Sequence, residues 1–382
     1  MNAARVRSFV ASGPMPAAVV VDVGWVNGLA AVRSLGRLGV PVVAVDYRRS
    51  AIGFRSRYCV PVICPDPGID EEGFVRVLTK LGEALDRPAP IFPTHDDVLN
   101  VLAQNADAFG GAYLCPFPSW ERLEQIQSKR YQLERAEAAG VPVPRTAYPG
   151  SGADALVAAT ELGYPLLVKP SEPAGFRRRF RKQAFRCEDV AALESAYAAA
   201  EPHAPMLQEL VPGGDDALYT LGSYIAENGE VLGLFSGRKL RQTPPIVGTC
   251  RVGEAVWVDE VVELGLAMLR AIDFRGISQV EFKRDQRDGR FKLMEVNPRL
   301  WQWHGLAAAC GVDLPRIAYW DLLNARLPAV RTRCDGLRWA TTLMKGGPPA
   351  VQRPPYVDSL IALDDPLPAV VQAGRMLLTA AR

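Results

Sequence analysis

A chain of 382 residues exceeds one ordinary domain of about 100 to 200 residues, which predicts two or three compact units with room for a large core. Hydrophobic residues at 48% and charged residues at 23% exclude a disordered chain, and 44 Lys plus Arg against 42 Asp plus Glu give no polyanion-binding surface, so nucleic acid is not an expected partner. Seven scattered cysteines with no C-x-x-C pair fit neither a disulfide framework nor a structural zinc site, and no segment offers the roughly 18 apolar residues of a membrane helix.

The stretch Met1 to Ala18 carries Arg5 and Arg7 but lacks an apolar block long enough for a signal peptide, so a soluble, cytoplasmic protein is expected. The first element is an apolar strand, Ala17 to Val23, bounded by Gly24; a helix over Asn27 to Leu38 and a strand from Val40 to Val45, ending in Asp46, complete a βαβ unit. A strand at Tyr58 to Ile63, a helix over Glu71 to Leu85, a strand at Pro90 to Pro93 and a helix from Asp97 to Ala108 continue the alternation. The fold class is therefore α/β, beginning with a doubly wound parallel sheet over residues 1–115.

Past a Pro- and aromatic-rich linker, Cys115 to Trp120, helices are expected at Glu121 to Gln127 and Lys129 to Ala139. There follow a strand (Tyr164 to Lys169), a basic loop (Ala174 to Lys182), a strand (Ala184 to Cys187), a helix (Val190 to Ala199) and a strand (Met206 to Val211). Longer strands at Leu218 to Ala226 and Val231 to Leu240 and a helix over Val258 to Ile272 precede a hairpin, Ile277 to Asp285 and Phe291 to Asn297, turned at Arg287-Asp288-Gly289. Helices at Gly305 to Cys310 and Leu314 to Asn324 close this part, and the last 50 residues are Pro-broken until a helix from Ala369 to Ala381.

Glu281 and Glu295 each lie seven residues from Asp288, so a turn centred there makes them cross-strand partners, with Gln279 opposite Asn297 on the same face. Like charges in that position repel unless a cation lies between them, and Mg²⁺ favours one or two carboxylates, an amide oxygen and nucleotide phosphates. An ordinary solvated face is the bland alternative, but Glu295 sits in an apolar strand that stops at Pro298 and is followed by Arg299.

The run VEFKRDQRDGRFKLMEVNPR resembles the metal-binding hairpin of the ATP-grasp enzymes, among them carbamoyl phosphate synthase, biotin carboxylase and the carboxylate-amine ligases, with likeness from about Gln127 to Asn324. The resemblance implies an ATP-grasp fold of two α+β subdomains, 116–205 bearing the lid and 206–330 bearing the metal site, with 331–382 as a C-terminal extension. It makes Glu281, Glu295 and Asn297 ligands of Mg²⁺, with Mn²⁺ as an alternative, and Arg299 the residue that steadies the transferred phosphoryl. Lys129 and Lys169 are then phosphate-binding lysines, Gln208, Glu209, Leu210 and Val211 the adenine edge, Asp215 or Asp216 the ribose contact, and Lys239 a phosphate or carboxylate contact.

The usual Gly-rich lid is replaced by Gly175 and the run Phe176 to Lys182; its arginines either grip an anion or form a solvated loop. Trp301, Trp303 and His304 either wall an acceptor pocket or pack the following helix, and Thr94 or Asp96 serves as a helix cap or a site residue. The implied activity is ATP-dependent amide formation through an acyl phosphate, with likeness to amino-acid and peptide ligases such as D-aspartate ligase. The expected partners are a small-molecule carboxylate and amine, not a membrane, with homodimerisation left open. Two rivals are a nicotinamide-dependent oxidoreductase, for which Gly24-x-x-x-Gly28 is the wrong spacing, and a nucleotide-binding module without catalysis.

Overall fold

Valine-rich runs without a polar break form the first sheet, as expected of parallel strands covered on both faces. The computed structural model describes residues 2–11, 13–171, 176, 179–180, 182–245, 248–325, 327–331, 334–347 and 356–380. Strands β1 (Ala18–Val21), β2 (Val42–Asp46), β3 (Cys59–Ile63), β4 (Ala89–Pro93) and β5 (Tyr113–Leu114) pair in parallel in the order β3-β2-β1-β4-β5. Alternate residues feed two cores. Val20, Ala44 and Phe92 pack with Leu29 and Val32 of the helix Val26–Gly36, while Val19, Val43 and Ile91 pack with Phe74 and Leu78 of the helix Glu71–Gly82. The latter helix is capped by Asp70, which accepts from Gly73 N at 2.8 Å, and opens with Glu71 and Glu72, the charges its N-terminus favours.

A second, antiparallel sheet has the order β6-β9-β7-β8, from β6 (Thr146–Ala147), β7 (Leu166–Pro170), β8 (Phe185–Cys187) and β9 (Pro205–Glu209). The third runs β14-β13-β10-β11-β12-β16-β17, from β10 (Leu218–Ile225), β11 (Val231–Thr243), β12 (Thr249–Ala255), β13 (Gly276–Arg284), β14 (Phe291–Asn297), β16 (Arg338–Ala340) and β17 (Tyr356–Asp358); β15 (Val330–Arg331) pairs with β11. The chain is thus a mixed α/β fold with one parallel and two largely antiparallel sheets.

Several elements depart from expectation. The helix Gly152–Leu162 was not anticipated, although Ser151 caps it by accepting from Asp154 N at 3.2 Å, a start signal legible in the Ser-x-x-Asp spacing. Strand β12 was also unanticipated: its Gly253 and Glu254 are poor strand formers, and only pairing with β11 and β16 makes them extended. The helix expected to reach Ala108 stops at Gln104 and continues as a 3₁₀ turn, Ala106–Phe109. At the N-terminus, Ala3–Val10 is helical, with Val6 and Val10 in the first sheet's core.

The C-terminal residues fold back on the first sheet. Asp365 is buried, accepting from Arg33 Nε at 2.9 Å and Ser56 Oγ at 2.8 Å, and Arg33 Nη2 donates to Leu360 O at 2.9 Å. Ala381, placed at the end of the last helix on sequence grounds, lies outside the described residues, among which that helix runs Leu367–Ala380. Among the described residues no helix is long and apolar enough to cross a membrane.

Candidate active site

The hairpin of β13 and β14 pairs Gln279 with Asn297 and Glu281 with Glu295, the partners the spacing predicts. Its geometry is less simple than one symmetric turn. Phe282 pairs with Leu293 and Arg284 with Phe291, so the turn centres half a residue before Asp288, and an irregularity beside Met294 restores the register. Without that extra residue Glu281 would face Met294, and Glu295 would point to the opposite side of the sheet.

The two glutamates line a cavity of about 420 Å³ where the three sheets meet. Lys239 Nζ lies 2.7 Å from Glu281 Oε1, and Asn297 Nδ2 donates to Glu295 Oε1 at 3.0 Å. Gln279 donates to Thr220 Oγ1 at 3.2 Å, completing the polar floor. Burial raises the pKa of Glu281; Lys239 opposes the shift and Glu295 adds to it. Lys239 is held above the ordinary lysine value, the attraction of Glu281 outweighing burial. A divalent cation relieves such a carboxylate pair, and a half-turn of the Asn297 amide presents its oxygen to the same point. No group of three His, Cys, Asp or Glu residues suited to a metal occurs among the described residues. Two carboxylates and an amide therefore fit Mg²⁺ completed by phosphates, not an all-protein cage.

Lys169 and Lys129 enter the cavity from the other side. Lys169 Nζ donates to Gln208 Oε1 at 2.6 Å, and burial, with Lys129 nearby, pushes its pKa down to about 7. The cavity's described lining does not include Gln208, Glu209, Leu210, Val211 or Asp215. Gln208 orients Lys169, and Asp215 accepts from Gln242 N at 2.9 Å and Gln242 Nε2 at 2.8 Å. Glu209 ties the second sheet to the hairpin turn through Lys292 at 2.7 Å, Arg287 at 2.8 Å and Arg145 at 3.2 Å. Burial favours its neutral form, but these donors win and hold it at about 2. Gly175, Arg177, Arg178 and Arg181 of the expected lid lie outside the described residues; Phe176 and Phe180, which flank them, pack on Phe185 with ring centroids 5.1 Å away.

At the opposite end Arg299 leaves β14 and meets Asp96 of the first sheet's region, Nε to Oδ1 at 2.6 Å and Nη2 to Oδ2 at 3.1 Å. The helix Asp96–Gln104 is capped by neither Thr94 nor Asp96. His95 is the cap, its Nδ1 accepting from Asp97 N at 3.4 Å, because Thr94 Oγ1 donates to Asp22 O at 2.6 Å and Asp96 is engaged by Arg299. Trp301 and Trp303 are both core and wall: each is 1% exposed, and both line the cavity. His304 is core alone, its Nε2 at 3.0 Å from Asn27 O and its pKa lowered by burial. Sequence reasoning missed Asn27, Gln242, Arg251 and Gln302, which also line the cavity. Nothing local marks them, because each owes its position to a neighbouring element.

Gly222 and Gly253 make room for the tryptophans. A Cβ on Gly222 would lie 2.1 Å from the Trp301 ring, and one on Gly253 2.7 Å from Trp303. Gly222→Ala is expected to destabilise the chain by about 1–3 kcal/mol, as overpacking does, read as a lower denaturant midpoint with unchanged slope. An unchanged midpoint contradicts the tight fit.

Comparison with known proteins follows the same hairpin. The model of the carbamoyl-phosphate synthase L chain ATP-binding domain matches residues 257–322. D-aspartate ligase of Enterococcus faecium is 22% identical over 281 residues, covering 67% of this chain and 65% of that ligase. The carbamoyl phosphate synthase large chain of Thermotoga petrophila is 25% identical over 342 residues, covering 81% of this chain and 28% of that protein. The chain thus spans under two thirds of the length of these curated relatives. In structure it resembles the Campylobacter jejuni biotin carboxylase–β-γ-ATP complex, with TM-score 0.66 and 19% identity over 82% of this chain and 72% of the other. The matched segment thus falls on the strands that bring Glu281 and Glu295 together, and the likeness to the biotin carboxylase in fold extends well beyond it.

Proposed function

We propose that the protein is an ATP-dependent carboxylate–amine ligase that forms an amide through an acyl phosphate. The observation that carries it is the pairing of Glu281 with Glu295 inside one cavity that also receives Lys129, Lys169, Lys239 and Arg299. Glu281, Glu295 and Asn297 would hold Mg²⁺, which supplies positive charge to the nucleotide phosphates. Lys129 and Lys169 bind those phosphates, with Gln208 to Val211 and Asp215 or Asp216 as the adenine and ribose contacts. Lys239 orients the substrate carboxylate. A carboxylate oxygen attacks the γ-phosphorus while the β–γ bridging P–O bond breaks and ADP departs with the electron pair; Arg299 balances charge on the phosphoryl in flight. The amine nitrogen then attacks the acyl carbon, the C–O bond to phosphate breaks, and phosphate and a proton are released. Positioning and charge neutralisation supply most of the rate.

The same proposal keeps 1–115 as a doubly wound domain, 116–205 and 206–330 as the two ATP-grasp subdomains and 331–382 as an extension. The separate core of Ala155, Val168, Leu193 and Leu207 supports the second unit. A cytoplasmic setting accords with seven free thiols. The nicotinamide alternative is disfavoured by Asp46, which is buried and accepts from Arg48 Nε at 2.9 Å and Nη2 at 3.0 Å instead of facing a ribose.

The decisive experiment screens amino acids and small acids for Mg²⁺-dependent ADP formation, with mass measurement of the product. An amide product establishes the ligase, and ADP formation stimulated by no carboxylate–amine pair rejects it. Lys169 gives a separate signature. Its pKa near 7 means that it is largely neutral at pH 8 in the free protein and must charge to meet a phosphate. ADP binding in metal-free buffer at pH 8 is therefore expected to take up nearly one proton, seen as a buffer-dependent calorimetric enthalpy that disappears in Lys169→Met. Equal enthalpies in buffers of different ionisation heat contradict the phosphate contact.

A further inference from the structure

Beyond the carboxylates and lysines, the cavity holds a cation with no assigned task. Arg251, on β12, is partly buried and lines the cavity. Its Nε donates to Lys345 O at 3.1 Å and its Nη1 to Thr249 Oγ1 at 2.9 Å; with its amide turned to satisfy both contacts, Gln302 accepts from Nη1 at 3.2 Å. Nη1 also reaches Cys250 O at 3.5 Å, and all four partners are neutral oxygens. No described carboxylate lies within ion-pair distance of Arg251, although its strand neighbour Glu254 is taken up by Arg238 at 2.7 Å and Arg338 at 2.9 Å. Burial accordingly lowers the Arg251 pKa, with only Cys250 acting against it. A half-buried guanidinium that faces a cavity and is held only by neutral oxygens retains the capacity to pair with an anion entering that cavity.

The register locates it relative to the reacting centre. Lys239 pairs with Gly253, which leaves room for Trp303, and Arg251 lies two residues along the same strand, at the irregularity where the ladder with β11 skips it, and lines the same cavity as Lys239. Two strand residues span about 6–7 Å. We propose that Arg251 binds a second anionic group, a carboxylate or phosphate, on one of the two substrates, at a distance of one small molecule from the carboxylate that reacts at Lys239. Naming that anion as part of a substrate rests on the ligase function proposed above; the anion site itself does not.

The test titrates the full chain with succinate, its monoamide succinamate and 3-phosphonopropionate by calorimetry, first without nucleotide. Wild type is expected to bind succinate or 3-phosphonopropionate at least tenfold more tightly than succinamate, the margin of a charge-assisted hydrogen bond. Preference for the phosphonate over succinate identifies phosphate as the natural group, and the reverse identifies carboxylate. Arg251→Met should remove the discrimination and Arg251→Lys restore part of it. Equal binding of the charged and amide probes by wild type, including no binding of either, overturns the proposal. So does a ratio unchanged in Arg251→Met; if that variant also melts at lower temperature, Arg251 is a tether for the Lys345 carbonyl. ADP formation is read separately: its absence, with the ratio still dependent on Arg251, removes the ligase function and leaves the anion site standing.

Discussion

Glu295→Gln is expected to lower Mg²⁺-dependent ADP formation by on the order of 10²- to 10³-fold while leaving the fold intact. The substitution keeps volume and retains an oxygen for Asn297 Nδ2, which now donates to Glu295 Oε1 at 3.0 Å. What it removes is one of the two negative charges of the proposed metal site, and metal stabilisation of a developing phosphoryl charge amounts to several kcal/mol, at about 1.4 kcal/mol per tenfold in rate. Stability should move the other way. Glu281 has a folded pKa above its unfolded value, so the native state binds more protons between the two and stability falls as pH rises through that window. Removing the Glu295 charge relieves part of that penalty. In metal-free buffer at pH 7 the variant should melt no lower than wild type, and its Mn²⁺ affinity, read by spin resonance, should drop. Wild-type Mn²⁺ affinity and turnover would sink the metal assignment.

Arg299→Met is expected to reduce turnover by on the order of 10² to 10³, the range for loss of a preorganised transition-state donor, with a smaller change in ATP affinity. Beside the proposed catalytic task, Arg299 has a structural one that adds a stability cost. It binds Asp96 through two nitrogens at 2.6 and 3.1 Å, joining the end of β14 to the N-terminal region. Its pKa is raised because Asp96, then Glu295 and Glu281, outweigh its burial. Truncation removes both of these bonds to Asp96, so a lower melting temperature accompanies the rate loss. Asp96→Asn separates the two tasks: it preserves the guanidinium but loosens its aim, and should lower turnover less than Arg299→Met. Arg299→Lys should recover little, since a flexible ammonium does not reproduce the planar fork. A normal rate in a destabilised Arg299→Met protein would leave Arg299 with the structural task alone.

Much of this site is local and therefore legible in the chain. Period-two alternation about one turn is enough to oppose Glu281 with Glu295 and Gln279 with Asn297, because both strands lie within twenty residues of each other in sequence. Valine runs and a turn sufficed for the parallel strands β1 and β2, since burial on both faces leaves no other use for an unbroken apolar stretch. The helix caps Asp70, Ser128 and Asp313 sit where Asp or Ser precedes each helix.

The remainder depends on contacts between residues far apart in the chain. The bulge beside Met294 falls on the β14 side of the hairpin, while β13 keeps an unbroken register with β10 on its other side, a pairing that lies far off in sequence. Arg299 and Asp96 are 203 positions apart, and nothing in either neighbourhood announces the other. Trp301 and Trp303 look like generic core residues until Gly222 and Gly253 are seen making way for them on strands some 50 to 80 positions earlier. Arg251 is the sharpest case: one arginine among many in the sequence, it becomes distinctive only when folding gives it neutral oxygens for partners and, among the described residues, engages its strand neighbour Glu254 with Arg238 and Arg338. The sequence by itself determined the secondary structure of the hairpin, the parallel sheet and the identity of the paired carboxylates, because periodicity and turn chemistry act over a few residues. Tertiary structure alone decided which distant cations, rings and acids meet in the cavity, because burial and electrostatics act through space.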